Sequence, residues 1–112
     1  MWLILYKIIM GYQLLDQYSL LHFAVGIIFY FWGIPLWLWN LLHILFEFME
    51  NTQTGMYLIN HYIKLWPGGK NYADGLVNSF GDIMAGHIGW MIAYYLDIYG
   101  TQNGWFTRHL NE

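Results

Sequence analysis

Apolar residues dominate three long stretches of this 112-residue chain, and the polar positions inside them recur three or four residues apart. Tyr18 to Trp32 (YSLLHFAVGIIFYFW), Pro35 to Asn51 (PLWLWNLLHILFEFMEN) and Asp74 to Tyr99 (DGLVNSFGDIMAGHIGWMIAYYLDIY) therefore read as helices of residues 18–32, 35–51 and 74–99. Gly33-Ile34-Pro35 parts the first two, because proline cannot continue a helix and disfavours helical geometry in the residue before it. A tight reversal fits this break better than a kink, with Pro35 in the first turn of the second helix. Residues 52–73 form a polar loop with a turn around Trp66-Pro67-Gly68-Gly69-Lys70-Asn71, preceded by a short helix over Met56 to Leu65. The tail, residues 100–112, is polar. No internal repeat or low-complexity tract divides the chain, so one domain is expected.

Composition turns this helical pattern into an expectation about environment. Hydrophobic residues make up 58% and charged residues 10%, against about 25% charged in ordinary soluble domains. The expected fold is thus an all-α integral membrane bundle of three transmembrane helices, with the lipid bilayer and other membrane proteins as partners. Residues 1–15 would add either an interfacial helix or a fourth N-terminal half-span. They lack the basic start and small-residue cleavage site of a signal peptide. Tyr30, Trp32, Trp37 and Trp39 would mark an interface. Lys7, Lys64 and Lys70 would lie on one side and Arg108 on the other, which puts the 52–73 loop on the cytoplasmic side of a multi-pass protein. The net charge of −3 and the absence of a basic cluster argue against nucleic acid. With no cysteine, disulfides and thiolate metal sites are excluded.

Ionisable residues inside apolar helices are costly, and here they form stripes. Asn40, His43, Glu47, Glu50 and Asn51 follow spacings of 3, 4, 3 and 1 on the second helix. On the third, Asp74, Asn78 and Asp82 stand four apart, with Gly81, Ala85 and Gly89 on the same face for close helix packing. Tyr18, Ser19, His22 and Gly26 form the stripe of the first. An up-down-up order brings the three together near one end, so the candidate pocket comprises His22, His43, Glu47, Glu50, Asn51, Asp74, Asn78 and Asp82. Four carboxylates that close must share protons, pair with histidine or bind a cation. The pocket is open to several readings: polar glue between helices, a metal or lipid-headgroup site, or a proton or ion path. No spacing matches a named metal signature such as H-E-x-x-H, so no cofactor is named. His87 falls on the opposite side of its helix and is expected to face a partner or a headgroup, while His61 and His109 sit in polar segments.

The blocks Asp16-Gln-Tyr18-Ser19-Leu-Leu-His22, Gly26 with Phe29-Tyr30, Glu47-Phe-Met-Glu50-Asn51 and Asp74-Gly-Leu-Val-Asn78-Ser79-Phe-Gly-Asp82 appear in this order. In that order they resemble an uncharacterised family of small bacterial inner-membrane proteins, distantly similar to VanZ-like proteins and reminiscent of proteins of large DNA viruses. The resemblance runs from about Asp16 to Gly89. It departs at Val25, where such proteins carry a second histidine, and in a shorter link between the first two helices and fewer helices after the third. It implies a membrane fold and the pocket residues, and no activity. The function expected is a non-enzymatic structural or accessory component of a larger membrane assembly, such as a cell-envelope complex or a virion's internal membrane. The alternative is an enzyme or binding protein for a lipid headgroup, with Glu47, Glu50 or Asp82 as base or metal ligand and His22 as acid.

Overall fold

Residues 13–63, 65, 66, 73 and 75–108 are described by the computed structural model. Among them are four helices and no strand: α1 (Gln17–Phe31), α2 (Leu36–Glu50), α3 (Gln53–Tyr62) and α4 (Leu76–Gln102). The N-terminal stretch, residues 1–12, and Asp74 lie outside the described residues, as do Lys64, Lys70 and His109. Gln13 to Leu15 are not helical.

Each helix starts where its local chemistry permits. Asp16 caps α1 by accepting from Tyr18 N at 2.9 Å, while Ser19 Oγ accepts from Asp16 N at 2.9 Å, a reciprocal capping box. Gly33, with φ of 79°, lets the chain leave α1 in a left-handed conformation that Gly adopts without strain. Pro35 is the N-cap of α2 and stands just outside its first turn, one position earlier than expected. Thr52 caps α3 by accepting from Gly55 N at 3.0 Å. That helix begins three residues before the expected start at Met56 and ends at Tyr62.

The long α4 is the spine. α1 packs along it through glycine: a side-chain carbon at Gly26 would collide with the Gly86 carbonyl, and one at Gly89 with the Phe23 carbonyl. The two backbones can approach this closely because Gly26, Gly86 and Gly89 carry no Cβ. Gly81 belongs to a different contact, against the carbonyl of Leu14, and Ala85 is buried. The apolar core gathers at the other end, where Tyr30, Trp39, Trp90 and Ala93 are buried together. Trp90 Nε1 donates to Ile34 O at 2.8 Å, fastening α4 to the α1–α2 turn.

The membrane expectation is overturned. No helix among the described residues is long and apolar enough to cross a membrane. α1 and α2 have 15 residues each, about 22 Å at ~1.5 Å per residue, short of a hydrocarbon core of ~30 Å. α4 has the length, with 27 residues, but Asn78, Asp82, His87 and Asp97 and its glycines dilute its apolar character. The transmembrane bundle, the multi-pass location and the cytoplasmic placement of the 52–73 loop fall together. What composition registered is a different property. Buried positions on α1, α2 and α4 are largely polar or small, while Leu20, Trp32, Trp37 and Phe48 are exposed.

Candidate metal centre

Four buried side chains from three helices meet beside the α1–α4 contact. His22 of α1, Glu47 and Glu50 of α2 and Asp82 of α4 each present a donor atom, all within 4.8 Å of one another. His22, Glu47, Glu50 and Asp82 are between 2% and 4% exposed, so water contributes little to their solvation. The local reason is register. His22 follows Ser19 by three residues and precedes Gly26 by four on the buried stripe of α1, and on α2 Glu47 follows His43 by four and precedes Glu50 by three.

The distances within the cluster are long for hydrogen bonds. His22 Nε2 stands 3.4 Å from Asp82 Oδ2 and 3.9 Å from Glu47 Oε2. No protein N–H is bonded to either oxygen of Glu47, which is 3% exposed, and its near polar neighbours are the Glu50 and Asp82 carboxyls, with which it can share a proton. An uncompensated buried carboxylate costs several kcal/mol, of order 1–3 even for a neutral polar group. Burial pushes the Glu47 carboxyl up to about 10, and the neighbouring Glu50 and Asp82 carboxylates add like-charge repulsion. No Lys or Arg occurs in the sequence of α1, α2 or α4 to offset it.

A second imidazole backs the first. His22 Nδ1 and His43 Nε2 share a hydrogen bond of 2.9 Å. Burial drives the His43 imidazole down to about 3, with the neighbouring His22 imidazole adding to the shift, so His43 is neutral at ordinary pH. Trp66 closes over the far side, its ring edge-on to His22 at 6.0 Å and to Phe46 at 5.6 Å.

The other residues expected in the pocket do different work. Asn51 donates to the Glu47 carbonyl at 2.8 Å and to Ser79 Oγ at 3.4 Å, closing the end of α2. Asn78, 2% exposed, donates to Gln13 O at 2.6 Å and Asp16 Oδ2 at 3.1 Å, pinning the chain that enters α1. His87 was expected to face a partner, but its Nδ1 accepts from Asn40 Nδ2 at 3.0 Å across α2 and α4. Both lie off their helices' buried stripes, on the sides that meet.

A second buried polar pair, Tyr30 with Asp97, joins α1 to α4. Tyr30 donates its hydroxyl proton to Asp97, and burial raises the Tyr30 phenol, with that hydrogen bond adding to the shift. Arg108 lies over the Tyr94 ring at 5.9 Å. The spacing from Asp82 through Trp90 and Ala93 to Asp97 continues the α4 stripe, so Asp97 was within reach of the same periodicity. A cavity of about 450 Å³ lies beside it, lined by Ile27, Phe31, Ile92, Leu96 and Phe106, and it does not include the His22 cluster.

Comparison with protein-family models, curated proteins and solved structures returns no match, so no relative bears on the resemblance to VanZ-like proteins.

Proposed function

We propose that this chain binds one divalent metal ion through His22, Glu47, Glu50 and Asp82, and that the ion ties α1, α2 and α4 into one body. The observation that carries the reading is the convergence on Glu47: its carboxyl is 3% exposed, no protein N–H is bonded to either oxygen, and donor atoms of His22, Glu50 and Asp82 stand within 4.8 Å. Ligand bonds of ~2.0–2.1 Å put two ligands of one tetrahedral ion about 3.3 Å apart. The 3.4 Å between His22 Nε2 and Asp82 Oδ2 matches that spacing, and the 3.9 Å to Glu47 Oε2 needs a small side-chain shift.

One imidazole with carboxylates, and no sulfur, suits Zn²⁺, Fe²⁺ or Mn²⁺ better than a soft ion. Four protein ligands in a closed, buried shell favour a structural ion over a catalytic one, which keeps a coordination position open to substrate. The role proposed is accordingly a non-enzymatic helical component held in shape by its metal. Isothermal titration of the purified, chelator-treated protein with ZnCl₂ and MnCl₂ tests it. One ion per chain is expected, with at least a tenfold weaker affinity in Glu47→Gln and no change in Gln53→Ala, which lies on the exposed side of α3. No binding by the wild type, with Glu47 protonated by infrared spectroscopy, would make the cluster a proton-sharing helix contact instead.

A further inference from the structure

His43 is as buried as the four cluster residues, at 1% exposed, and its geometry gives it a task distinct from theirs. The ring lies flat on the Trp39 indole, with centroids 4.5 Å apart and planes 14° from parallel. Trp39 is itself fixed, since its Nε1 donates to Gly86 O at 3.0 Å. The edge of the ring that carries Cε1 and Nδ1 lies against the bare backbone of Gly86. A side-chain carbon there would come within 2.7 Å of both His43 Cε1 and Nδ1. The ring is thus bounded by Trp39 on one face and by Gly86 along one edge. Its Nε2 is committed to His22 Nδ1 at 2.9 Å and stands 3.9 Å from Glu47 Oε2, while its Nδ1 lies on the Gly86 side.

We infer that His43 is not a ligand but the positioning residue for His22, fixing the His22 ring and its tautomer so that Nε2 is presented to the ion. This rests on the metal reading above. The proton arrangement follows from the geometry. A metal-bound Nε2 must offer its lone pair, so the His22 proton sits on Nδ1 and is donated to His43 Nε2. His43 then carries its own proton on Nδ1. In the ion-free protein the reverse order is better satisfied. His43 Nε2–H donates to His22 Nδ1, and His22 Nε2–H faces Asp82 Oδ2 at 3.4 Å. His43 Nδ1, which makes no hydrogen bond, is then a bare lone pair rather than a stranded donor. Each ring holds one proton in both states. On binding, His22 gives up its Nε2 proton and takes the one from His43 Nε2, and His43 gains one from solvent at Nδ1.

Long-range ¹H–¹⁵N spectra of histidine-labelled protein, recorded before and after one equivalent of ZnCl₂, read this directly. His22 is expected to change from the Nε2–H to the Nδ1–H form with a zinc shift on Nε2. His43 should change to Nδ1–H with no zinc shift on either nitrogen. His43→Phe should lose 10- to 100-fold in zinc affinity, the range typical of removing an outer partner of a metal-bound histidine. His43→Gln, whose side-chain oxygen can stand where Nε2 stood, should recover most of it. A zinc shift on a His43 nitrogen, or His22 keeping Nε2–H in the zinc form, overturns the inference and leaves the metal site standing. Failure of the wild type to bind zinc, manganese or iron removes both. Should His43→Phe not fold, the wild-type spectra decide alone.

Discussion

Tyr30 on α1 donates its phenolic proton to Asp97 on α4, joining two buried side chains 67 residues apart in sequence. The pair sits at the far end of the α1–α4 contact from His22 and Asp82, so polar pairs fasten the two helices at both ends. Tyr30→Phe keeps the ring and its edge contact with Trp90 but takes a donor from a buried carboxylate. A loss of about 1–3 kcal/mol is expected in urea unfolding. Asp97→Asn, which keeps an acceptor for the hydroxyl, should cost less.

The metal-free protein should be most stable in a mildly acidic window. Glu47, raised from 4.5 to about 10, holds a proton in the folded state that the unfolded chain has lost, so its contribution falls as pH rises above 4.5. His43, lowered from 6.5 to about 3, stays neutral when folded while the unfolded chain protonates, so its contribution is lost as pH falls below 6.5. Each slope is at most ~1.4 kcal/mol per pH unit. The two cancel between 4.5 and 6.5, giving a plateau with a decline on either side. Glu47→Gln should abolish the alkaline decline and keep the acid one. Chemical denaturation across pH in the presence of a chelator checks this, and an unchanged alkaline limb in Glu47→Gln would refute the assignment.

Adding the ion should remove the alkaline decline. Metal must displace the Glu47 proton, so its affinity rises with pH by the same slope by which the ion-free fold weakens, and the gain in melting temperature on adding the ion should be larger at pH 8 than at pH 6. Melting curves with and without ZnCl₂ at both values give the comparison.

Gly89→Ala discriminates packing from propensity. In an exposed helix alanine would gain about 1 kcal/mol over glycine. Here the added carbon meets the Phe23 carbonyl, so α1 and α4 must separate and a loss of about 1–3 kcal/mol is expected. Ile88→Ala, on the exposed side, should stay within about 0.5–1 kcal/mol. Stabilisation by Gly89→Ala would show that the two backbones are not in contact.

The three-and-four spacing of His22, Glu47, Glu50 and Asp82 was readable in the sequence because helical periodicity fixes which side chains share a face. The direction of the helices then decides which stripes can meet. Environment was not readable in the same way. An apolar run marks a span only if it is long enough, and Gly33 to Pro35 cuts the first half of the chain into two helices of 15 residues. Asn78 also looked like a pocket residue from its spacing alone. Its partners, Gln13 O and Asp16 Oδ2, belong to the segment that leads into α1, and no periodicity on α4 could name them. His43 was placed among the pocket residues, but its separate relation to His22 depends on Trp39 and Gly86, whose pairing crosses 47 positions of sequence.

The distribution of polar groups inside and large apolar groups outside has a calorimetric consequence. Unfolding ordinarily raises heat capacity because hidden hydrocarbon becomes hydrated, by ~12–15 cal/mol/K per residue, while newly hydrated polar surface lowers it. In this fold many large hydrophobic side chains, Leu20, Trp37 and Phe48 among them, already contact the surroundings, whereas His43, Glu47, Asn78 and Asp82 become newly hydrated. The heat-capacity increment should therefore fall below the usual range. A small increment flattens the free-energy curve against temperature, so the chain would lose stability slowly on both warming and cooling from its optimum.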